Sequence, residues 1–275
     1  MRLFILLLLP FLLSAENYEE KFYKDATHKV KGWGIHTDVA YSSYLIELDS
    51  SEINAAIDYD VVEFTLGTSY TYEDYMFGVY TKVLLKELQS NMNVVTTQAP
   101  LDDHANIDKK EFAFYVSRTL KESENSSWRV NAIYRYASLD AIDSYRAFYD
   151  YASTFDYVTH AMALSLVYAQ KLNEEASWFV NGGLLYSQAT VKMSEKINTN
   201  FQDSFVDDKA NALGLKFSLG YNCKLNEHLF LNVRSDVWKL NFGELQVASR
   251  VGDTLPKAKL REQSFSSYLG FTWRF

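Results

Sequence analysis

Apolar and polar residues alternate with a period of two in ten separate segments of this chain. Within residues 128–137, Trp128, Val130 and Tyr134 occupy alternate positions, and Arg129 and Arg135 lie between them. A period of two places every second side chain on the same face of a β-strand. The segments cover residues 32–41, 60–69, 75–85, 111–119, 128–137, 158–169, 177–187, 213–222, 229–237 and 265–275. The pattern predicts ten strands; eight or twelve are alternatives, since residues 32–47 and 87–121 alternate least regularly.

The connectors between these segments are of two lengths, and the lengths alternate. Short connectors cover residues 68–74, 120–127, 171–177 and 223–228. Long connectors cover residues 48–57, 87–109, 138–156, 188–210 and 241–262. The tetrapeptide KLNE occurs in two of the short connectors, beginning at Lys171 and Lys224. Tight turns at one end and long loops at the other are typical of transmembrane barrels. The prediction is therefore an all-β, up-and-down antiparallel transmembrane β-barrel.

Aromatic residues collect at the ends of the predicted strands. If the tight turns share one end, seven aromatics lie at that level: Trp33, Trp128, Trp178, Trp273, Tyr75, Tyr168 and Tyr221. Four tyrosines lie toward the opposite ends: Tyr41, Tyr134, Tyr136 and Tyr186. Trp and Tyr favour the membrane interface because their rings are apolar on one part and hydrogen-bond water on another. Two aromatic girdles are predicted, with Trp238 as an exception on the inward face.

The N-terminus predicts export. Residues 1–15 combine Arg2, an apolar run from Leu3 to Leu13 and a small residue at Ala15, as in a secretory signal peptide. Residues 16–31 are then a polar periplasmic leader, and residues 32–275 the barrel. The formal net charge of −8 argues against nucleic-acid binding, which normally uses a basic patch. Cys223 is the sole cysteine, so an intramolecular disulfide is excluded.

The C-terminal residues SYLGFTWRF carry a more specific resemblance. Together with the signal peptide and the paired strands, they resemble a Gram-negative outer-membrane β-barrel protein over residues 32–275. The resemblance implies outer-membrane lipid as the surroundings. It also implies that Phe271, Trp273 and Phe275 form the signal that the barrel-assembly machinery reads during biogenesis.

Charged residues fall on the face opposite the apolar one, which predicts that they line the lumen. These are Asp38, Glu63, Lys82, Arg129, Arg135, Lys216, Arg234, Asp236 and Arg274, with His36 on the same face. A charge facing hydrocarbon at the membrane midplane would cost about 2–4 kcal/mol. Ten strands enclose a narrow interior. Two interpretations stay open: a plug in which the charges pair with one another, or a narrow pore that favours small anionic solutes.

A hydrolase is the alternative from another class. Proteases of the omptin family are similar in strand number and use paired acids with an Asp–His unit, for which Asp58, Asp60, Asp102 and His104 are the candidates. Barrel lipid hydrolases need a serine activated by histidine at the lipid-facing surface, for which His160, Ser165 and Ser267 are the candidates. Neither set has a supporting motif, and both would lie toward the extracellular rim.

The remaining features of the sequence do not add a catalytic candidate. The histidines and Cys223 show no metal-ligand spacing, so neither a metal nor a cofactor is predicted. The segment 143–157 is rich in Tyr and Phe and is predicted to be an extracellular loop that binds a partner or extends the outer girdle. The sequence predicts a non-enzymatic barrel, either a narrow passive channel or a structural or surface-interaction protein.

Overall fold

Ten antiparallel strands form one closed barrel in the computed structural model, which describes residues 32–50, 54–95, 106–145, 151–197, 201–246 and 257–275. The strands are β1 (Gly32–Asp49), β2 (Asn54–Tyr72), β3 (Tyr75–Val95), β4 (Asn106–Glu122), β5 (Ser126–Tyr145), β6 (Tyr151–Lys171), β7 (Ala176–Ile197), β8 (Phe201–Lys224), β9 (Leu229–Gln246) and β10 (Lys257–Arg274). The predicted signal peptide and leader, residues 1–31, lie outside the described residues.

Each strand pairs with the next in sequence, and β1 pairs with β10 to close the barrel. The closure continues to the last residue, where Trp33 N donates to Phe275 O at 3.2 Å and Phe275 N donates to Trp33 O at 2.9 Å. Closure removes the sheet edges, as a membrane requires of strands that cross it. The predicted ten-stranded up-and-down barrel is confirmed. The described residues contain no helix that is long and apolar enough to span a membrane.

The two KLNE sequences form the same turn. Leu172 N donates to Ala176 O at 2.9 Å, and Leu225 N donates to Leu229 O at 2.9 Å. In each turn the asparagine side chain accepts a hydrogen bond from the backbone N–H two residues on, as in an Asx turn. The repeat therefore encodes a turn that links adjacent strands at one end of the barrel, which we call the turn end.

The strands are longer than predicted, at 17 to 24 residues. Most of each predicted long loop is strand: β5 runs to Tyr145 and β6 begins at Tyr151, for example. The prediction of long loops was wrong because the alternation reverses its polarity within each strand. In β7 the outward positions are apolar from Trp178 to Tyr186 and polar from Gln188 onward, whereas the inward positions change from polar to apolar.

The reversal divides the barrel into two zones. The belt is the zone between the two rows of aromatics, which are eight residues apart in sequence at Trp33 and Tyr41, and likewise at Trp178 and Tyr186. Eight residues of strand extend about 26 Å, and a tilt of about 35–45° reduces this to a height of about 20 Å, slightly less than the roughly 25 Å apolar band of membrane barrels. The tower is the zone beyond Tyr41, Tyr136 and Tyr186, away from the turn end.

Side chains fill the tower with an apolar core. It includes Tyr44, Ile46, Leu48, Ile57, Tyr59, Val61, Met92, Leu139, Phe155, Tyr157, Val191, Met193, Leu240, Phe242, Leu245 and Leu260. Phe155 and Tyr157 are 2% and 4% exposed, so these two residues of the predicted partner-binding loop are instead part of the core. They lie at odd positions of β6, which face inward, and this is why the prediction of exposed aromatics was wrong for them.

The wall of the tower is incomplete between β3 and β4 among the described residues. Their ladder ends at the pair Val83 and Lys110, although both strands continue. The Glu87 side chain spans part of this seam, since Ile107 N donates to Glu87 Oε2 at 3.3 Å. The seam coincides with the least regular part of the sequence.

Candidate functional site

The barrel interior holds the charged residues that the sequence places on the inward face. Eight of them line one cavity: Asp38, Lys82, Arg129, Arg135, Lys216, Arg234, Asp236 and Arg274. The ninth, Glu63, is buried next to the cavity at 1% exposure. We call the cavity the vestibule. The paired charges at its inner end form what we call the ionic layer: Glu63, Lys82, Lys109, Glu111, Arg135, Lys216, Arg234 and Asp236.

Glu63 is the centre of the ionic layer. Lys109 Nζ lies 2.6 Å from Glu63 Oε1, and Lys82 Nζ lies 3.6 Å from Glu63 Oε2. Ser42 Oγ and Tyr44 OH both donate to Glu63 Oε2, at 2.6 and 2.8 Å. The carboxylate thus has two cations and two hydroxyl donors around it, which offsets the cost of its burial.

Glu111 is a second carboxylate in the same layer. Arg135 Nη1 lies 3.6 Å from Glu111 Oε2, and Tyr80 OH donates to Glu111 Oε1 at 3.0 Å. The Arg135 guanidinium also stacks on Trp238, with its central carbon 3.4 Å from the ring centroid. Arg135 is thereby held across the lumen between β4 and β9. Trp238 faces inward, as the sequence predicts, and packs against the tower core.

Arg234, Asp236 and Lys216 continue the network around β8 and β9. Arg234 Nε lies 3.2 Å from Asp236 Oδ1, and Lys216 Nζ lies 3.8 Å from Asp236 Oδ2. The Arg234 guanidinium lies 4.2 Å from the centroid of Tyr268. Tyr268 OH accepts a hydrogen bond from Lys82 at 3.0 Å, which links this group to the Glu63 cluster.

Two glycines make room for inward side chains on β1. A Cβ at Gly67 would overlap the imidazole of His36, and a Cβ at Gly270 would overlap the carboxylate of Asp38. Gly67 on β2 is paired with His36, and Gly270 on β10 is paired with Asp38. These positions therefore require glycine because of close approach by a side chain.

The vestibule is a cavity of about 860 Å³ below the ionic layer. Its lining includes turn residues such as Glu73, Asn125 and Glu175, so it opens at the turn end. Its deepest lining includes Tyr44, Lys82 and Trp238, where the ionic layer meets the tower core. The vestibule is therefore a pocket with one mouth rather than a passage through the described part of the barrel.

Several members of the ionic layer are not among the residues predicted to line the lumen. Lys109 lies in a predicted loop and Glu111 at its edge. Both occupy odd-numbered positions of β4, which face inward as Ala113 does. Glu262, which accepts a hydrogen bond from Tyr157 at 2.6 Å, was missed for the same reason. If each strand is extended by counting alternate residues, whether these are polar or apolar, all three residues are predicted to face inward.

The predicted turn-end girdle residues lie at one level and make ring contacts between strands. Trp33 and Tyr70 have centroids 5.0 Å apart, and Tyr168 contacts Trp128 at 4.8 Å and Trp178 at 5.6 Å. Tyr75 packs on Phe77. Tyr221 is paired with Trp178 across β7 and β8, and Trp273 is 49% exposed on β10.

Between the girdles the outer surface is apolar. Leu184, Leu213, Leu215 and Met162 are each more than 60% exposed there. Contiguous apolar surface of this kind marks a membrane or partner contact in a folded protein. A band of it around a closed barrel fits a bilayer.

The protease-like candidates are not assembled in the described residues. Asp58 and Asp60 face outward on β2, where Tyr41 OH donates to Asp60 Oδ2 at 2.8 Å. Burial and the nearby Asp60 raise the pKa of the Asp58 carboxyl. Asp102 and His104 lie outside the described residues, so their relation to the outward acid pair is not defined.

The lipase-like candidates are separated. His160 faces outward on β6, and its Nδ1 lies 2.8 Å from Tyr134 OH. Ser165 is on the opposite, inward face at 4% exposure, and Ser267 is on β10, with three strands between it and β6. His160 therefore has a tyrosine and not a serine as its hydrogen-bond partner. Within the described residues, no group of three or more His, Cys, Asp or Glu side chains is arranged to hold a metal ion.

Comparison with known proteins gives matches in structure alone. No protein-family model matches the sequence, and no curated protein has significant similarity to it. The outer membrane protease OmpT from Escherichia coli aligns with a TM-score of 0.64 at 10% identity, over 89% of this chain and 97% of OmpT. The translocator domain of the autotransporter NalP from Neisseria meningitidis gives a TM-score of 0.48 at 12% identity, over 92% of both chains. OprG, an outer membrane protein of Pseudomonas aeruginosa, gives 0.43 at 14% identity, over 90% of this chain and 97% of OprG.

At 10% identity the similarity to OmpT establishes the fold and not the activity. The fold, the apolar belt between two aromatic rows and the polar lumen agree with one another. The chain therefore has the closed β-barrel fold of the outer-membrane protease OmpT.

Proposed function

We propose that the protein is a sealed, non-enzymatic outer-membrane barrel with a structural or surface-interaction role. The observation that carries this proposal is the apolar core that fills the tower lumen. Val61, Val191, Leu245 and Leu260 are 0% exposed there. Side chains without solvent contact cannot line a water-filled passage.

The ionic layer adds a second barrier below the core. Glu63, Lys82, Lys109 and Glu111 are 1–6% exposed, and each has a partner of opposite charge or a hydroxyl. A permeating ion would have to displace these partners, which would leave buried charges unpaired at a cost of several kcal/mol. Of the two interpretations of the lumen, the plug is favoured over the pore.

The tower supports the surface role. Strands continue for eight or more residues beyond Tyr41, Tyr136 and Tyr186. Their outward side chains include exposed charges such as Lys110 and Asp108, which form an ion pair at 2.6 Å. A packed core makes this zone a rigid platform that holds the strand connections away from the membrane.

The hydrolase alternative receives less support. The protein with a TM-score of 0.64 is named as a protease, but the acid pair Asp58 and Asp60 faces the outside of the barrel. His160 is hydrogen-bonded to Tyr134, whereas Ser165 lies on the opposite face of β6 and Ser267 lies on β10. No specific observation on the described residues favours peptide or lipid hydrolysis.

Planar-bilayer recording tests the seal. We expect the purified, folded protein to give no discrete conductance steps, because the tower core and the ionic layer close the lumen. Heat-modifiable migration of the same sample shows that the barrel is folded, and a sixteen-stranded porin serves as the positive control.

Discrete steps from the wild-type protein that disappear in Arg135→Gln would overturn the proposal in favour of an ion-selective pore. Arg135 is the informative position because it crosses the lumen between Glu111 and Trp238. Tyr134→Phe, on the outward face of the same strand, is the matched control.

We also propose that Phe271, Trp273 and Phe275 direct assembly, as the C-terminal resemblance implies. Phe275→Ala should strongly lower the amount of protein in the outer membrane of cells, whereas Phe275→Tyr should preserve it. The purified Ala variant should still refold in detergent, because the contacts of residue 275 with Trp33 are main-chain hydrogen bonds. Equal membrane levels for both variants would contradict an assembly role for the terminal aromatic ring.

A further inference from the structure

Two arginines in the vestibule have no acidic partner in the structure. Arg129 on β5 and Arg274 on β10 both face the lumen near the turn end. Neither forms an ion pair with a carboxylate of the described residues, although the field of Glu122 reaches Arg129. The Arg274 guanidinium instead lies 4.5 Å from the centroid of Phe230. These cations differ from those of the ionic layer, which are paired.

The two arginines lie on opposite walls of the barrel. β5 and β10 are five strands apart in either direction around the barrel, so their inward side chains point across the lumen. Both side chains line the vestibule, so two opposite walls of this cavity each carry a positive charge. Arg129 is half-buried and Arg274 is exposed to the cavity, and an anion between two such like charges would relieve their repulsion.

The wall beside Arg129 offers hydrogen-bonding groups without partners. Ser117 and Asn131 are paired across β4 and β5, two residue pairs along the ladder from Thr119 and Arg129. Ser117 is 2% exposed and Asn181 on β7 is 7% exposed, and their side-chain oxygens have no hydrogen-bond partner. All three of these polar side chains line the vestibule. Buried polar groups normally have hydrogen-bond partners, and these three can bind either water or a polar ligand in the vestibule.

We propose that the vestibule binds a small organic anion that enters from the turn end, with Arg129 and Arg274 holding its carboxylate or phosphate group. A guanidinium matches either group because its N–H donors form paired hydrogen bonds to two oxygens. Ser117, Asn131 and Asn181 bind the uncharged polar part. The volume of about 860 Å³ is within the range of small-molecule sites. In the outer membrane the turn end is expected to face the periplasm.

Calorimetric titration of the detergent-solubilised protein tests this site. The probes are inorganic phosphate and citrate, each at constant ionic strength maintained with sodium chloride. We expect saturable binding of at least one probe, and the preferred probe distinguishes a phosphate ligand from a carboxylate ligand. Arg129→Gln and Arg274→Gln should each weaken that binding about tenfold or more, since each removes a charge-assisted hydrogen bond.

Arg118→Gln is the matched control because it removes the same charge from the outward face, where Arg118 lies over the Tyr75 ring. It should bind the probe like the wild type. If neither probe binds saturably to the wild type, or if Arg118→Gln weakens binding as much as Arg129→Gln does, the site is overturned.

A second measurement does not depend on calorimetric heat. The bound probe should raise the unfolding midpoint of the wild type, because a ligand of the folded state stabilises it. The midpoint of Arg129→Gln/Arg274→Gln should not respond to the probe. An equal rise in both proteins would mean a general salt effect and would reject the two-arginine site, whether or not the barrel conducts.

Discussion

Glu63→Gln should lower the free energy of unfolding by about 3–5 kcal/mol, the usual cost of breaking a buried ion pair by removing one partner. Glu63 is 1% exposed, and Lys109 Nζ lies 2.6 Å from it. Glutamine preserves the size of the side chain but not its charge. Lys109 and Lys82 are 5% and 6% exposed and would then lie close together without this carboxylate, while Glu111 already interacts with Arg135.

Urea unfolding of the protein in lipid vesicles measures this loss. Asp108→Asn is the matched control: it removes one carboxylate from the exposed ion pair with Lys110 on the tower surface, where solvent screens the interaction. It should change stability little. The double variant Glu63→Gln/Lys109→Met should recover part of the loss, because it removes the unpaired ammonium as well. If Glu63→Gln unfolds like Asp108→Asn, the ionic layer is not a structural element of the plug.

Parity along the strands made most of the barrel predictable from the sequence. The alternation fixes which residues face inward, so the orientation of Asp38, Arg129 and Lys216 follows from counting alone. The aromatic rows could be predicted because the strand ends bring Trp33 and Trp178 to the same level. The turns were predictable because KLNE contains its own hydrogen-bond acceptor, the asparagine side chain.

The tower was not recognised because a polarity-based template expects apolar residues on one constant face. In β1, Tyr44, Ile46 and Leu48 occupy the same parity as Asp38, yet they are buried in an apolar core. The change occurs where the outer surroundings change from hydrocarbon to water. Outside the membrane, a barrel obeys the rule of soluble proteins and places its apolar residues inside.

Partners within the lumen could not be predicted for a different reason. Lys82 and Tyr268 are 186 residues apart in sequence and meet only because the barrel closes. Glu63 and Lys109 lie on strands that are not neighbours, and no ladder register relates them. Parity gives the direction of a side chain, but its partner across the lumen depends on the length and stagger of all ten strands.

The two zones also explain how one chain satisfies opposite solvation requirements. In the belt, polar side chains face an interior that contains the vestibule and ionic layer, and apolar side chains face outward. In the tower, the apolar core replaces the water-accessible interior. The apolar core therefore lies outside the apolar belt, where it is as stable as in a soluble domain.

Leu184→Arg should lower the stability of the barrel in lipid by about 1–3 kcal/mol, because the residue lies between the midplane, where a cation costs about 2–4 kcal/mol, and the interface, where it costs about 0–1 kcal/mol. Leu184 is 67% exposed on the outward face of β7, inside the belt. Gln188→Arg, four residues further along the same face, should cost only about 0–1 kcal/mol because it lies beyond the Tyr186 girdle. Reversible urea unfolding in vesicles compares the two variants.

The comparison separates a membrane effect from a general effect of arginine on β7. Both substitutions are on outward positions of the same strand, so differences in strand propensity nearly cancel. A soluble barrel would tolerate the two arginines equally, since water would surround both. Equal stabilities would therefore contradict the belt, whereas a selective loss at Leu184 places the upper boundary of the membrane between residues 184 and 188. That boundary coincides with the reversal of polarity in β7, as a change of solvent along the strand requires.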